Sequence, residues 1–163
     1  MIIAISGTPG VGKHTVAKIL ANELNYKILD ISNEIKRKEI DISLMNRIIS
    51  KIVEENSIIV SHLSHFLTDR RISIFVILRC RPDILKRRLE ERGYSKKKIH
   101  DNILFEALDG TYIEAKELHN NVVEIDNSKS VDSTIRMIKK AINGKLKPQK
   151  IDYSYFIPKI EKF

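Results

Sequence analysis

A glycine-rich loop near the start of the chain constrains its fold more than any other feature. The loop covers residues 7–13 and reads GTPGVGK; it follows an apolar run at residues 2–5 and precedes a stretch with helical spacing. Glycines let successive backbone N–H groups turn inward, a helix N-terminus adds partial positive charge, and a lysine reaches the outer phosphates. This order of residues, between a strand and a helix, predicts a binding site for a nucleoside triphosphate.

Short apolar runs rich in Ile and Val alternate with stretches of helical period along the chain. The runs lie at residues 2–5, 27–29, 57–60, 73–78 and 122–125, and helical spacing recurs over 44–53, 99–108 and 131–142. Runs that are almost continuously apolar are typical of strands covered on both faces. The sequence therefore predicts one α/β domain in which a five-stranded parallel sheet is flanked by helices.

Composition excludes several classes of protein. The chain has 163 residues, 42% of them hydrophobic, which is enough for one buried core. No apolar run approaches the ~20 residues that cross a bilayer, and Met1 leads into the first apolar run without a basic leader. We therefore expect a soluble, cytoplasmic protein with no membrane partner. The single cysteine, Cys80, has no partner with metal-ligand spacing, so we expect it in the core and expect no resident metal site.

The net charge of +8 is concentrated in two segments. Residues 86–98 contain seven Lys or Arg and two Glu, and residues 145–163 contain five Lys, one Asp and one Glu. Basic segments of this kind suit the phosphates of a nucleotide or of RNA, and they also describe solvated helix faces. Charge alone does not decide between these interpretations.

Residues 145–163, which we call the C-terminal tail, differ in character from the chain before them. The tail follows Asn143-Gly144, a pair typical of a helix end, and it carries Tyr153, Tyr155 and Phe156. Because exposing aromatic side chains to water is unfavourable, we expect the tail to pack on its own domain or to dock onto a partner.

Three segments carry a resemblance to a known family. They are the loop at 7–13; FVILR at 75–79 with LEERGYSKKKI at 89–99; and DNI at 101–103 with EALD at 106–109, expected on one long helix. Together they resemble the adenylate kinase isoenzyme 6 family, also called CINAP-type nucleotide kinases. The resemblance implies a P-loop kinase domain at residues 1–144, with an acceptor region at about 30–53 and a short mobile lid at about 91–101.

The family's activity is implied for this chain by the same resemblance. It is the transfer of the ATP γ-phosphate to AMP or another nucleoside monophosphate, with slow ATP hydrolysis and with Mg²⁺ delivered by the ATP. Members also act in maturation of the small ribosomal subunit, which implies a small-subunit ribosomal protein and rRNA as partners. By position, the ATP contacts would be Gly10, Gly12, Lys13, His14, Thr15 and Arg92. The implied catalytic residues are Lys13, His62 and Arg92, the arginine closing over the phosphates.

Two positions that normally anchor Mg²⁺ depart from the family pattern. His14 stands where Ser or Thr supplies a hydroxyl, and Val60 stands where the third strand usually ends in an aspartate two residues before His62. Mg²⁺ prefers oxygen ligands, so we expect His14 to contribute its backbone N–H and not its ring. Candidates for the missing carboxylate are Asp69, Glu54 and Glu55. His62 either orients the attacking group or a water, or is a structural histidine.

The acceptor region is shorter than the family pattern. Lys36, Arg37, Lys38 and Arg47 are candidate phosphate contacts, or else residues of solvated helix faces. Two functions therefore stay open: a nucleoside-monophosphate kinase with weak ATPase activity, and an ATP-gated ribosome-assembly factor with reduced or no kinase activity. A kinase acting on another small metabolite is a third alternative.

Overall fold

The computed structural model describes residues 1–34 and 41–160. Five strands form one sheet in the order β2-β3-β1-β4-β5, and every neighbouring pair is parallel. The strands are β1 (Ile2–Ser6), β2 (Lys27–Asp30), β3 (Ser57–Val60), β4 (Ile72–Arg79) and β5 (Val122–Asp126). The predicted five-stranded parallel sheet is confirmed, and each predicted run lies within one of these strands.

Helices connect the strands and cover the sheet. They are α1 (Lys13–Leu24), α2 (Ile31–Glu34), α3 (Ile42–Ile52), α4 (Pro82–Glu91), α5 (Lys96–Ala107), α6 (Gly110–Leu118), α7 (Val131–Ile142) and α8 (Ile157–Ile160). Side-chain oxygens of Asp41, Ser95 and Ser130 accept backbone hydrogen bonds at the starts of α3, α5 and α7, satisfying N–H groups that the helix leaves unpaired. None of the helices within the described ranges has the length and apolar character that a membrane span requires.

Alternate residues of the central strands bury into different clusters on the two faces of the sheet. Ile3 and Ile5 of β1 join a cluster with α1, whereas Ile2 and Ala4 join a cluster with α3. Burial on both faces, as predicted, holds for β1, β3 and β4. It is wrong for β2, where Lys27 and Ile28 are exposed because this strand lies at the edge of the sheet.

The segment expected to form one long helix is divided between α5 and α6. Asp109 adopts a left-handed backbone conformation with φ of 59°, which ends the helical run after Ala107. A side chain at Gly110 would collide with the ring of Phe105, so glycine lets α6 begin there without moving that ring. The break turns the Asp109 carboxylate toward Arg79, whose Nη2 donates to Asp109 Oδ1 at 2.5 Å.

Arg79 at the end of β4 is the centre of a buried charge cluster. Its side chain is 1% exposed, and besides Asp109 it binds Glu106 through Nε at 2.8 Å and Glu124 through Nη1 at 2.9 Å. A buried guanidinium is stable only when its charge and its N–H groups are paired. The cluster therefore joins β4, α5, the start of α6 and β5.

The C-terminal tail packs on this cluster as far as residue 160. Tyr153 is 6% exposed; its ring lies 5.4 Å from the Arg79 guanidinium carbon, and its hydroxyl donates to Asp126 Oδ1 at 2.9 Å. Ile160 is buried as well, whereas Tyr155 is 55% exposed. Of the two alternatives for the tail, the described part packs on its own domain.

We expect Arg79→Met to lower the free energy of unfolding by about 3–5 kcal/mol, because it leaves three carboxylates without their buried cation. Urea denaturation followed by circular dichroism measures the change. Arg71→Met is the control: Arg71 pairs with Asp69 at the surface, so its loss should leave the denaturation midpoint nearly unchanged. Equal midpoints for the two variants would contradict the role given to Arg79.

Candidate active site

The glycine-rich loop connects β1 to α1 in a backbone conformation that requires glycine. Gly7 has φ of 143° and Gly12 has φ of 98°, both positive. A Cβ on Gly7 would also meet the carbonyl oxygen of Leu78, and one on Gly12 would meet the side-chain amide of Asn127. The loop can therefore approach β4 and β5 closely while its other side faces a cleft.

A cleft of about 430 Å³ opens over the loop and the N-terminus of α1. Its walls come from the loop, the ends of β2 and β3, and the connection from α4 to α5. The residues that line it are Pro9, Gly10, Gly12, Lys13, His14, Thr15, Asp30, Ser32, Ser61, His62, Arg92, Tyr94, Lys98 and Asn102. All of the ATP-binding and catalytic residues that the family resemblance implies line this one cleft.

Lys13 is folded back onto the loop from the first position of α1. Its side chain is buried, and Nζ donates to the carbonyl oxygens of Gly7 at 2.7 Å and Thr8 at 3.0 Å. Burial lowers the pKa of this amine to about 7, a shift that Glu106 and Asp30 oppose and Arg92 reinforces. The amine is thus poised between its charged and neutral forms, and nearby phosphate would favour the charged form.

Asn127 supports the loop from behind, a role that sequence reasoning missed. It is 3% exposed; Nδ2 donates to the carbonyl oxygen of Val11 at 2.8 Å, and Oδ1 accepts from Thr134 Oγ1 at 2.7 Å. The available signal was a polar residue two positions after the apolar run at 122–125, at the edge of the sheet where parallel strands place ligands.

A carboxylate that the sequence did not single out, that of Asp30, lies in the cleft. It pairs laterally with Val60 in the sheet, and among the described residues that line the cleft it is the only acidic one. Asp30 Oδ2 lies 2.9 Å from His14 Nε2, and Oδ1 accepts from the backbone N–H and hydroxyl of Ser32. The histidine ring is therefore hydrogen-bonded to a carboxylate of the neighbouring strand end.

The three carboxylates predicted as substitutes lie away from the cleft. Asp69 pairs with Arg71, Glu54 with Lys27, and Glu55 with the amino group of Met1. Those predictions are wrong, because each of these side chains already has a basic partner outside the cleft and none lines it.

The two histidines after β3 have different surroundings. His62 lines the cleft, and its pKa is lowered by burial and by the charge of Lys13, so its ring is neutral at pH 7. His65 is 2% exposed and lies between Ser6 Oγ at 2.7 Å and Glu114 Oε2 at 3.0 Å. Burial lowers the pKa of His65 to about 4, and its position marks it as structural.

The connection from α4 to α5 forms the wall opposite β2. Arg92 is the C-terminal cap of α4, and Tyr94 follows it across Gly93. Lys98 Nζ lies 5.3 Å from the centre of the Tyr94 ring. Two cationic side chains, Arg92 and Lys98, therefore face the loop from this side.

One predicted acceptor contact, Arg47, does not line the cleft: it lines a separate surface groove with Asn46 and Arg71. The other three, Lys36, Arg37 and Lys38, lie outside the described residues. On the side of the cleft formed by the ends of β2 and β3, the described lining consists of Asp30, Ser32, Ser61 and His62.

Comparisons with known proteins agree on a kinase relationship. Residues 3–118 match a family model described as an AAA domain. A Pyrococcus abyssi protein named "Putative adenylate kinase" is 35% identical over 162 residues, covering 90% of this chain and 88% of the relative. A Methanocaldococcus jannaschii protein of the same name is 37% identical over 161 residues, covering 89% and 88%.

Solved structures show the same fold. Shikimate kinase from Bacteroides thetaiotaomicron matches with a TM-score of 0.65 at 19% identity, over 88% of this chain and 98% of that one. Deoxyadenosine kinase from M. mycoides matches with a TM-score of 0.57 at 18% identity, over 88% and 99%. These identities establish the P-loop kinase fold alone. The sequence relatives go further: the chain belongs to the adenylate-kinase-like nucleotide kinases.

Proposed function

We propose that this chain transfers the γ-phosphate of ATP to AMP or another nucleoside monophosphate, with slow ATP hydrolysis as a side activity. The observation that carries the proposal is the single cleft in which the glycine-rich loop, Lys13, Arg92 and Asp30 meet. A basic wall, a helix N-terminus and one carboxylate are the elements that phosphoryl transfer from a nucleotide requires.

The triphosphate is held at the N-terminus of α1. Backbone N–H groups of the loop and of His14 and Thr15 bind the phosphate oxygens, since the first turn of a helix leaves these donors unpaired. Lys13 exchanges its carbonyl partners in the loop for the outer phosphates. Arg92 approaches from the opposite wall.

Transfer proceeds by attack of an acceptor phosphate oxygen on the γ-phosphorus. The bond from that phosphorus to the β–γ bridging oxygen breaks, and ADP leaves with the electron pair. Lys13 and Arg92 stabilise the charge that spreads over the transferring oxygens. The acceptor phosphate is already ionised, so no base is needed; neutral His62 orients the acceptor, and in the side reaction it orients a water.

The oxygen donors of the cleft suit Mg²⁺ that arrives with ATP. Within residues 1–34 and 41–160, no cluster of three or more His, Cys, Asp or Glu side chains is arranged to hold a resident ion. The Asp30 carboxylate and the Thr15 hydroxyl fit an ion that keeps several of its waters, because they can accept hydrogen bonds from those waters. When bound, the ion neutralises charge on the β- and γ-phosphates.

Lys13→Ala should lower kcat/KM for phosphate transfer by about 100-fold or more, because it removes a cation that acts on the transferring group. The assay measures ADP and nucleoside diphosphate formed from Mg·ATP with each of AMP, CMP, GMP and UMP. Lys18→Ala, on the exposed side of the same helix, is the matched control and should retain wild-type activity. Wild-type protein inactive with every acceptor would overturn the kinase proposal.

Asp30→Asn should raise the Mg²⁺ concentration required for half-maximal ATP binding by about 10-fold, the usual effect of removing an outer-shell carboxylate. Calorimetry of ATP binding at a series of Mg²⁺ concentrations measures this without turnover. Glu54→Gln removes an equivalent charge outside the cleft and should have no effect. An unchanged Mg²⁺ requirement in Asp30→Asn would show that the ion depends on phosphates and water alone.

A second candidate function, the ATP-gated assembly factor, is favoured by the exposed lysines that open α5. The Lys97 side chain is 90% exposed, and Lys96 is exposed beside it. These cations are available to RNA phosphates of a small ribosomal subunit or to an acidic face of one of its proteins.

For this candidate, we expect a short RNA to bind with strong salt dependence. Replacing both Lys96 and Lys97 with Gln should reduce the slope of log K against log salt by roughly 1.5, the value for two lost phosphate contacts. Replacing Lys18 and Lys51 instead changes the net charge equally on other helices and should leave the slope unaltered. Equal slopes for the two double variants would remove the α5 lysines as an RNA surface.

A further inference from the structure

A buried carboxylate, Glu106, lies behind the glycine-rich loop and outside the cleft. It is 2% exposed and accepts three hydrogen bonds: from Thr8 Oγ1 at 2.5 Å, from Arg79 Nε at 2.8 Å and from the backbone N–H of Cys80 at 3.0 Å. Every partner is a donor, which is the arrangement that an ionised carboxylate requires. Burying this charge is unfavourable unless the structure compensates for it, and these three donors do so.

Thr8 connects Glu106 to the amine of Lys13. Its hydroxyl donates to Glu106, and its carbonyl oxygen accepts from Lys13 Nζ at 3.0 Å. Thr8 is itself only 1% exposed, so neither contact is replaced easily by water. One loop residue thus holds the carboxylate on one side and the phosphate-binding amine on the other.

The charged and titratable groups around Lys13 come from several elements. Glu106 of α5 and Asp30 of β2 favour the ammonium form, whereas Arg92 at the end of α4 opposes it. The charge of Lys13 also lowers the pKa of His62 and of His65, although burial is the larger cause for both. Because burial drives Lys13 toward the neutral amine, the ammonium form depends on these two carboxylates, and Glu106 has the larger effect.

We propose that Glu106 is a positioning residue for phosphate binding: through the Thr8 hydroxyl it fixes the part of the loop whose carbonyl oxygen holds the Lys13 amine, and it places a buried negative charge one loop residue away from that amine. The role rests on the proposed function, since it acts on the residue that grips ATP. This role also gives a function to Glu106 in the segment 106–109, none of whose residues lines the cleft.

The test is the pH dependence of ATP affinity, measured by calorimetry at saturating Mg²⁺. Bound phosphates raise the pKa of Lys13 above its free value of about 7. ATP affinity is therefore at its maximum below pH 7. Above pH 7 the free amine is neutral and must take up a proton on binding, so the affinity falls by up to about tenfold per pH unit. In Glu106→Gln the decrease in ATP affinity should begin about one pH unit lower. In Lys13→Arg the affinity should not change with pH over this range, because a guanidinium stays charged.

Glu124→Gln is the matched control for the buried cluster. Glu124 also binds Arg79, yet its other hydrogen-bond partner is the backbone N–H of Ile151 in the tail. It should lower thermal stability much as Glu106→Gln does without moving the pH at which affinity falls. A shift of the same size in both variants would show that Glu106 acts only through the fold.

Thr8→Val tests the hydrogen bond to the loop while the Glu106 charge stays in place. It also tests the inference if Glu106→Gln does not fold. It removes the hydroxyl while keeping Glu106 and Arg79, so ATP affinity should drop at least about fivefold at pH 6.5, the loss of one charge-assisted hydrogen bond. Thr8→Ser should restore it. Unchanged affinity in Thr8→Val, or an unmoved pH profile in folded Glu106→Gln, would overturn the inference. Wild-type protein that binds no ATP would instead overturn the proposed function.

Discussion

The buried guanidinium of Arg79 connects β4 to three later parts of the chain. Its carboxylate partners lie 27 to 45 residues after it, so pairing one charge positions α5, the start of α6 and β5 against β4. Glu106 extends the same network to the glycine-rich loop through Thr8. The conformation of the glycine-rich loop is therefore fixed by buried ionic contacts on the side of the loop away from the cleft.

The sequence was sufficient for the sheet and for most of the cleft, for physical reasons. The apolar runs predicted all five strands, and strand ends of a parallel sheet meet at one edge, which places Lys13 and His62 in one cleft. Arg92 was predicted only from the family resemblance, because it lies at the end of α4 and not at a strand end. The exposure of β2 was not predictable, because strand order is a property of the fold. Asp30 was missed for a related reason: only the sheet register places it beside Val60.

The same register places a carboxylate beside two departures from the family pattern. A histidine in place of the usual hydroxyl and a valine in place of the usual aspartate would each weaken a metal-organising site. In this chain the His14 ring contacts Asp30, which pairs with Val60 from the neighbouring strand. Among the described residues, Asp30, Ser32, Ser61 and His62 therefore line the side of the cleft formed by the ends of β2 and β3.

The place of Tyr153 also imposes an order on assembly during translation. Arg79 lies in β4 and is synthesised before the tail. The ring and hydroxyl that cover this side of the cluster belong to Tyr153 in the tail, which is synthesised after the rest of the described domain. Before Tyr153 has been made, water reaches the Arg79 cluster on this side. The low-dielectric surroundings of Glu106 and of its contact with the loop therefore form last. The surroundings of the Glu106–Thr8 contact are therefore complete only after the segment that carries Tyr153 has been made and has packed.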